Sequence, residues 1–158
     1  MANPVCEVLL TEARLKAPRD DVDVVAGAVV DFWGIVRGSE EGREIDGIEY
    51  EAHREMAEHQ LRGIAQQAIE KFALQLIVIH HRIGFVAAGQ SSLLMRVMSQ
   101  HRAEAFRASQ WAVGELKKKV PIWKRPKFKI DNQPARTGKR DRPAETHLIS
   151  RGLIGQIG

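Results

Sequence analysis

The sequence predicts an α+β fold with a mostly antiparallel sheet and two long helices. Three observations carry that expectation. Runs rich in β-branched residues alternate with two stretches whose apolar residues recur at steps of three and four. The strand-like runs come in neighbouring pairs joined by short glycine-bearing connections, which suit hairpins rather than the crossovers of a parallel sheet. No Gly-rich phosphate loop of the GxGxxG or GxxxxGK(S/T) kind is present.

Each element follows from local chemistry. Residues 5–10 (VCEVLL) read as a short strand. Pro18 and Asp20–Asp21 suit the first turn of a short helix, where proline loses no hydrogen bond and acids complement the helix dipole. Residues 27–36 (GAVVDFWGIV) and 45–52 (IDGIEYEA) read as two strands, expected to form a hairpin around the polar, mobile connection GSEEG at 38–42. Residues 54–72 form the clearest helix, with Ala57, Leu61, Ile64, Ala65, Ala68 and Phe72 on one face. Residues 74–80 are a buried strand, Gly84 and Gly89 bracket a turn, and 91–98 (SSLLMRVM) are another strand. A second helix spans 101–118, with Ser99 as its expected N-cap and Phe106, Val113 and Leu116 on its apolar side. Pro121 ends it, and 122–129 are read as extended. The texture then changes to proline, glycine and basic residues with almost nothing apolar. The division expected is one domain over residues 1–130 and a basic tail over 131–158.

Composition narrows the function classes. The chain has 158 residues, 44% of them hydrophobic and 28% charged, as a globular protein has. No apolar run approaches the ~20 residues needed to span a bilayer, and no secretory leader is evident at the N-terminus. The single cysteine, Cys6, excludes an internal disulfide and fits the cytoplasm. Net charge is +4 but divided: residues 1–100 carry 10 Lys/Arg against 15 Asp/Glu, and residues 101–158 carry 14 against 5. A basic second half implies an anionic partner, whether a phosphate-bearing substrate, an acidic protein or nucleic acid.

Few constellations carry chemistry. No metal site is expected: His53 and His59 fall on different faces of a helix, and His80 and His81 point to opposite faces of a strand. Cys6 reads as a small buried hydrophobe. His101 and Arg102 open the second long helix, where cations oppose the dipole. They either point to solvent or bind an anion together with the free N–H groups. Lys117, Lys118 and Lys119 close the same helix, where cations are favoured. Lys124 follows the apolar Pro121-Ile122-Trp123, so its amine is expected beside an aromatic wall. A lysine in a partly desolvated, cationic pocket loses basicity and becomes usable as a base or nucleophile. Arg37 ends an apolar strand at a place where a site could open.

Five ordered blocks then carry a resemblance. GAVVDFWGIVRG (27–38), GIEYEAHREMAEHQL (47–61), HRIGFVAAGQ (81–90), SQHRAEAF (99–106) and ELKKKVPIWKR (115–125) resemble the large, catalytic subunit of molybdopterin synthase, over about four-fifths of the chain. The resemblance implies an α/β hammerhead. It implies a homodimer with a small ubiquitin-like sulfur-carrier subunit at each end, that is, a heterotetramer. The small subunit's Gly-Gly thiocarboxylate tail would deliver two sulfurs to cyclic pyranopterin monophosphate (precursor Z), giving the dithiolene of molybdopterin. It implies no cofactor or metal for this subunit, and no membrane or nucleic-acid partner.

By the same resemblance Arg37, His101 and Arg102 would hold the anions. Lys117 would act on the acyl carbon of the tail and Lys124 on proton transfer at the pterin, with both lysines touching substrate. Family members usually carry a glutamate two residues after the second lysine, where this chain has Pro126. The family's later arginine has no clear counterpart, Arg136 and Arg140 being candidates. Two other readings compete. A basic nucleic-acid-binding module would rest on the positive second half, although the aromatics are not interleaved with basic residues as a stacking platform needs. A degenerate family member would bind the small subunit without catalysis.

Overall fold

The computed structural model describes residues 3–19 and 24–130. Ten elements follow in order: β1 (Val5–Thr11), β2 (Ala28–Ile35), β3 (Ser39–Glu40), β4 (Arg43–Ala52), α1 (Arg54–Phe72), β5 (Leu76–Arg82), β6 (Gly84–Ala87), β7 (Ser91–Ser99), α2 (Arg102–Lys119) and β8 (Ile122–Phe128). The first sheet has the order β1-β5-β7-β2, parallel only between β1 and β5. The second runs β3-β4-β6 and gains β8 on β4, all antiparallel. This is the mostly antiparallel α+β arrangement with two long helices that the sequence predicts.

Both helices cover one face of the first sheet and pack on each other. Ile77 and Ile79 of β5 and Leu93, Met95 and Val97 of β7 point into the same core as Leu61, Ile64 and Ala68 of α1 and Ala105, Ala108 and Ala112 of α2. Alternation along the strands puts every second residue on that face. The other face is crossed by the irregular stretch 12–19. Arg96 of β7 holds it there, pairing with Asp31 through Nε–Oδ1 (2.6 Å) and Nη2–Oδ2 (2.7 Å) and donating Nη1 to the carbonyls of Pro18 and Arg19.

Several expectations are corrected. β2 and β4 form no hairpin: β2 pairs with β7, with a register shift between Gly34 and Ile35, and β4 with β3, β6 and β8. The GSEEG stretch is an ordered two-residue turn, with Glu40 opposite Arg43 and positive φ at Glu41 (51°) and Gly42 (75°). That is the backbone of a type I′ hairpin, whose twist matches the strands it joins. The turn at Gly84–Gly89 contains the short strand β6. Gly47 is required where β4 meets β6, because a Cβ there would lie 2.3 Å from the Val86 carbonyl oxygen. Ser99 is not the N-cap of α2. His101 is, in extended conformation and without a side-chain cap bond, while the Ser99 hydroxyl donates to the His101 carbonyl. Phe106 is 62% exposed, and the buried side of α2 is Ala105, Ala108, Ser109, Ala112 and Leu116. Cys6 is exposed rather than buried. Pro18 and Arg19 are not helical, and Asp20 and Asp21 lie outside the described residues, as do Arg136, Arg140 and the rest of the basic tail.

Candidate active site

The site assembles where the end of α2 meets the second sheet. Lys117 lies in the last turn of α2, half-buried. Its neighbours diverge from it: Lys119 folds back on Glu115 at 2.6 Å and Lys118 stays exposed. The Lys117 amine is held below its ordinary value of 10.5, first by burial and then by the charges of Lys124 and Arg37. Those three cations, separated by up to 87 positions along the chain, therefore share one electrostatic neighbourhood.

Lys124 reaches it from β8. Alternation along that strand turns Ile122, Lys124 and Pro126 inward, all buried. The Lys124 side chain is 1% exposed, sits opposite Tyr50 in the β4–β8 ladder, and donates Nζ to Glu40 Oε1 at 3.2 Å. A carboxylate meets the amine, on the strand pair that also places Tyr50 opposite. Arg37 lies two residues past β2 and is exposed. Val36 before it is pinned by its N–H to the Gln90 carbonyl at 2.9 Å, which fixes where Arg37 leaves the sheet.

Behind these groups lies a buried polar layer. The Tyr50 hydroxyl is pushed up to about 12, mainly by burial, against a hydrogen bond with Ser92 and with a further rise from the Glu40 charge. The His81 ring stands edge-on to Tyr50 at 5.3 Å and is fully buried. Burial lowers its pKa to about 4, a hydrogen bond with the Arg82 carbonyl partly opposing. His81 is thus neutral at pH 7, with Nδ1–H donating to that carbonyl at 2.7 Å.

Not every expected residue joins. His101 and Arg102 are exposed at the opposite end of α2, about 24 Å from Lys117 at the helical rise per residue. Between the two ends runs a groove of about 390 Å³ lined by Val30 and Phe32 of β2 and Phe106, Ser109, Gln110 and Val113 of α2. Phe106, Gln110, Val113 and Lys117 follow one stripe of the helix. Sequence reading missed Glu40 and Tyr50. Glu40 stood in a stretch that looked like a loop, and Tyr50 in a strand where an aromatic is ordinary. Among the described residues no group of three His, Cys, Asp or Glu side chains gathers as a metal centre would need, and no helix is long and apolar enough to cross a membrane.

The fold and site define a cluster of cations, Lys117, Lys124 and Arg37, at the junction of a helix end and a small antiparallel sheet. Comparison with known proteins gives it a family. The model of the MoaE protein family matches residues 8–119. The molybdopterin synthase catalytic subunit of Pyrococcus abyssi is 41% identical over 99 residues, covering 63% of this chain and 67% of the relative. That of Aspergillus fumigatus is 37% identical over 125 residues, covering 79% and 66%. The crystal structure of molybdopterin synthase from Staphylococcus aureus superposes with a TM-score of 0.67 at 32% identity, over 78% of this chain and 90% of that one. The chain belongs to the MoaE family of molybdopterin synthase catalytic subunits, sulfurtransferases of molybdenum-cofactor synthesis.

Proposed function

We propose that this chain moves two sulfurs in turn from the thiocarboxylated Gly-Gly C-terminus of a small ubiquitin-like subunit to cyclic pyranopterin monophosphate, forming the molybdopterin dithiolene in the cytoplasm. One observation carries the residue roles: Lys117, Lys124 and Arg37 converge at the end of α2, where burial and like charge make the Lys117 amine easier to deprotonate. An amine so placed can act on the acyl carbon of the tail. Lys124 serves proton transfer at the pterin, and Arg37 meets the phosphate or the thiocarboxylate, where a guanidinium gives two parallel hydrogen bonds.

The groove along Phe106, Gln110 and Val113 lies on the helix stripe that continues to Lys117, which supports it as the approach of the small subunit's tail. A structure from Helicobacter pylori described as a complex of subunits 1 and 2 of molybdopterin-converting factor has this fold, with a TM-score of 0.58 at 21% identity. His101 and Arg102, a helix length from Lys117, serve the site of a second copy. That division makes the homodimer within a heterotetramer a requirement of the chemistry.

The test is a single-turnover assay. The protein is mixed with thiocarboxylated small subunit and cyclic pyranopterin monophosphate, and molybdopterin is read as its fluorescent oxidised derivative. Product that needs both partners supports the reading. A stable complex without product would leave a binding-only member. Affinity for nucleic acid that falls steeply with salt, without any complex, would point to the basic binding module instead.

A further inference from the structure

Glu40 is unlike Glu44 and Glu51, two other ion-paired acids of the second sheet. Glu51 and Glu44 pair with Arg125 and Lys129 at the surface. The Glu40 side chain is only 16% exposed and turns inward onto Lys124, 84 positions away in sequence.

The backbone holds it there. Glu40 is the last residue of β3, opposite Arg43 across a two-residue turn. The hairpin is tied at its open end by the Ile45 N–H donating to the Gly38 carbonyl at 3.1 Å. The turn keeps a non-glycine residue, Glu41, at φ 51°, a left-handed conformation unfavourable for an L-residue. β4, which carries the hairpin, also pairs with β8, which carries Lys124. The two partners thus ride on one continuous piece of sheet, and their separation does not depend on a flexible loop.

The chemistry asks for such a group. An ammonium taken out of water is tolerated when a carboxylate receives it. A lysine has four rotatable bonds, so its amine needs a fixed acceptor to be aimed. Among the described residues the charged and titratable groups around Lys124 include Glu40 from β3, Tyr50 from β4, Lys117 from α2 and Arg37 past β2, with neutral His81 of β5 behind Tyr50. These three cations and one carboxylate are together positive, as an anionic substrate needs, with the excess reduced by Glu40.

We infer that Glu40 is a positioning residue of the sulfur-transfer site, holding the Lys124 amine in place by an ion-paired hydrogen bond from the tip of the β3–β4 hairpin. The inference rests on the proposed role of Lys124. It makes Glu40 a contributor to turnover rather than to substrate capture, because its own charge repels the substrate.

A double-mutant cycle tests it, with the full chain, thiocarboxylated small subunit and cyclic pyranopterin monophosphate. Glu40→Gln, close in shape, is expected to lower kcat about tenfold or more without raising KM. Glu40→Asp, which keeps the charge, is expected to recover part of that loss. In a Lys124→Ala background Glu40→Gln is expected to change single-turnover rate by less than about twofold, since residues acting through one contact are not additive. A raised KM at unchanged kcat, or an equal further loss in the Lys124→Ala background, would make Glu40 a merely structural residue and overturn the inference. So would wild-type kcat for Glu40→Gln beside an inactive Lys124→Ala. Wild-type turnover in Lys124→Ala would instead remove Lys124 from the site, and Glu40 with it. A lowered melting temperature for Glu40→Gln is resolved by the Asp variant and by the cycle, which compare chains carrying the same hairpin.

Discussion

Helices α1 and α2 are of nearly equal length, 19 and 18 residues, and lie side by side on the same sheet. α1 finishes both of its ends itself. The His53 ring accepts the Met56 N–H at its start, and Ala73 in left-handed conformation returns its N–H to the Ile69 carbonyl at its finish. Glu55 in its first turn and Lys71 in its last complement the dipole. α2 matches it at the finish, where the Val120 N–H returns to the Leu116 carbonyl, and in dipole charges, Glu104 early and Lys117, Lys118 and Lys119 late, and differs at its start. Its N-cap residue makes no side-chain bond, its first residues His101 and Arg102 face solvent, and its last turn delivers Lys117 to the site. Its buried side is mostly alanine, so it adds less apolar area than the Leu61 and Ile64 side of α1. The two helices thus differ in their N-caps and in what their last turns carry, α2 presenting the lysine to which the proposed function gives chemistry.

Substitutions can break or sharpen that contrast. The largest expected effect is Lys117→Ala, which should cut single-turnover rate by about a hundredfold or more while leaving the melting temperature within a few degrees. Its mirror is Leu61→Ala, fully buried in α1, which should cost about 3 kcal/mol in urea unfolding and leave turnover per folded molecule unchanged. If Leu61→Ala slowed chemistry in the folded protein, or Lys117→Ala kept it, the division between the helices would collapse.

A subtler effect concerns pH. Burial and the charges of Lys124 and Arg37 disfavour the Lys117 ammonium in the folded chain, so the unfolded chain holds that proton more tightly. Between the lowered folded value and 10.5, stability of the wild type should rise with pH as this penalty disappears. Lys117→Met should accordingly be more stable than wild type at pH 7, with the gain shrinking as pH approaches 10.5. Denaturation curves at pH 7 and pH 10 decide it; a gain that grows with pH would reverse the assignment. The smallest contrast is between the two caps. His53→Ala should cost about 1 kcal/mol as a lost helix cap, and His101→Ala less than about 0.5 kcal/mol as a surface change. Equal losses would show that the two N-termini are built alike.

The same contrast explains what the sequence makes legible. α1 is read to the residue because its signals are local: apolar steps of three and four, and a stop at Phe72 before the left-handed Ala73. Pro121 marks the end of α2 in the same way. Strand partners are not local. β2 and β4 look like a hairpin because they are neighbours in the chain, yet β2 finds β7 some 60 positions later, and the turn at Glu41–Gly42 belongs to β3 and β4. Periodicity gives a stripe without saying what covers it, so Phe106 reads as core and proves exposed. In the candidate site, Lys117, Lys124 and Arg37 are found through local motifs. Glu40 is not, because its meeting with Lys124 exists only once β4 and β8 have paired.

β8 is the last described element and lies outermost, joined to the sheet through β4. A growing polypeptide therefore presents both helices and seven strands to the solvent before Lys124 has been made. A chain stopped short of Ile122 would lack the strand that pairs along β4 and would leave Glu40 without its Lys124 partner. Among the described elements β8 is therefore the one that completes the Glu40–Lys124 contact, and under the proposed roles turnover has to wait for it.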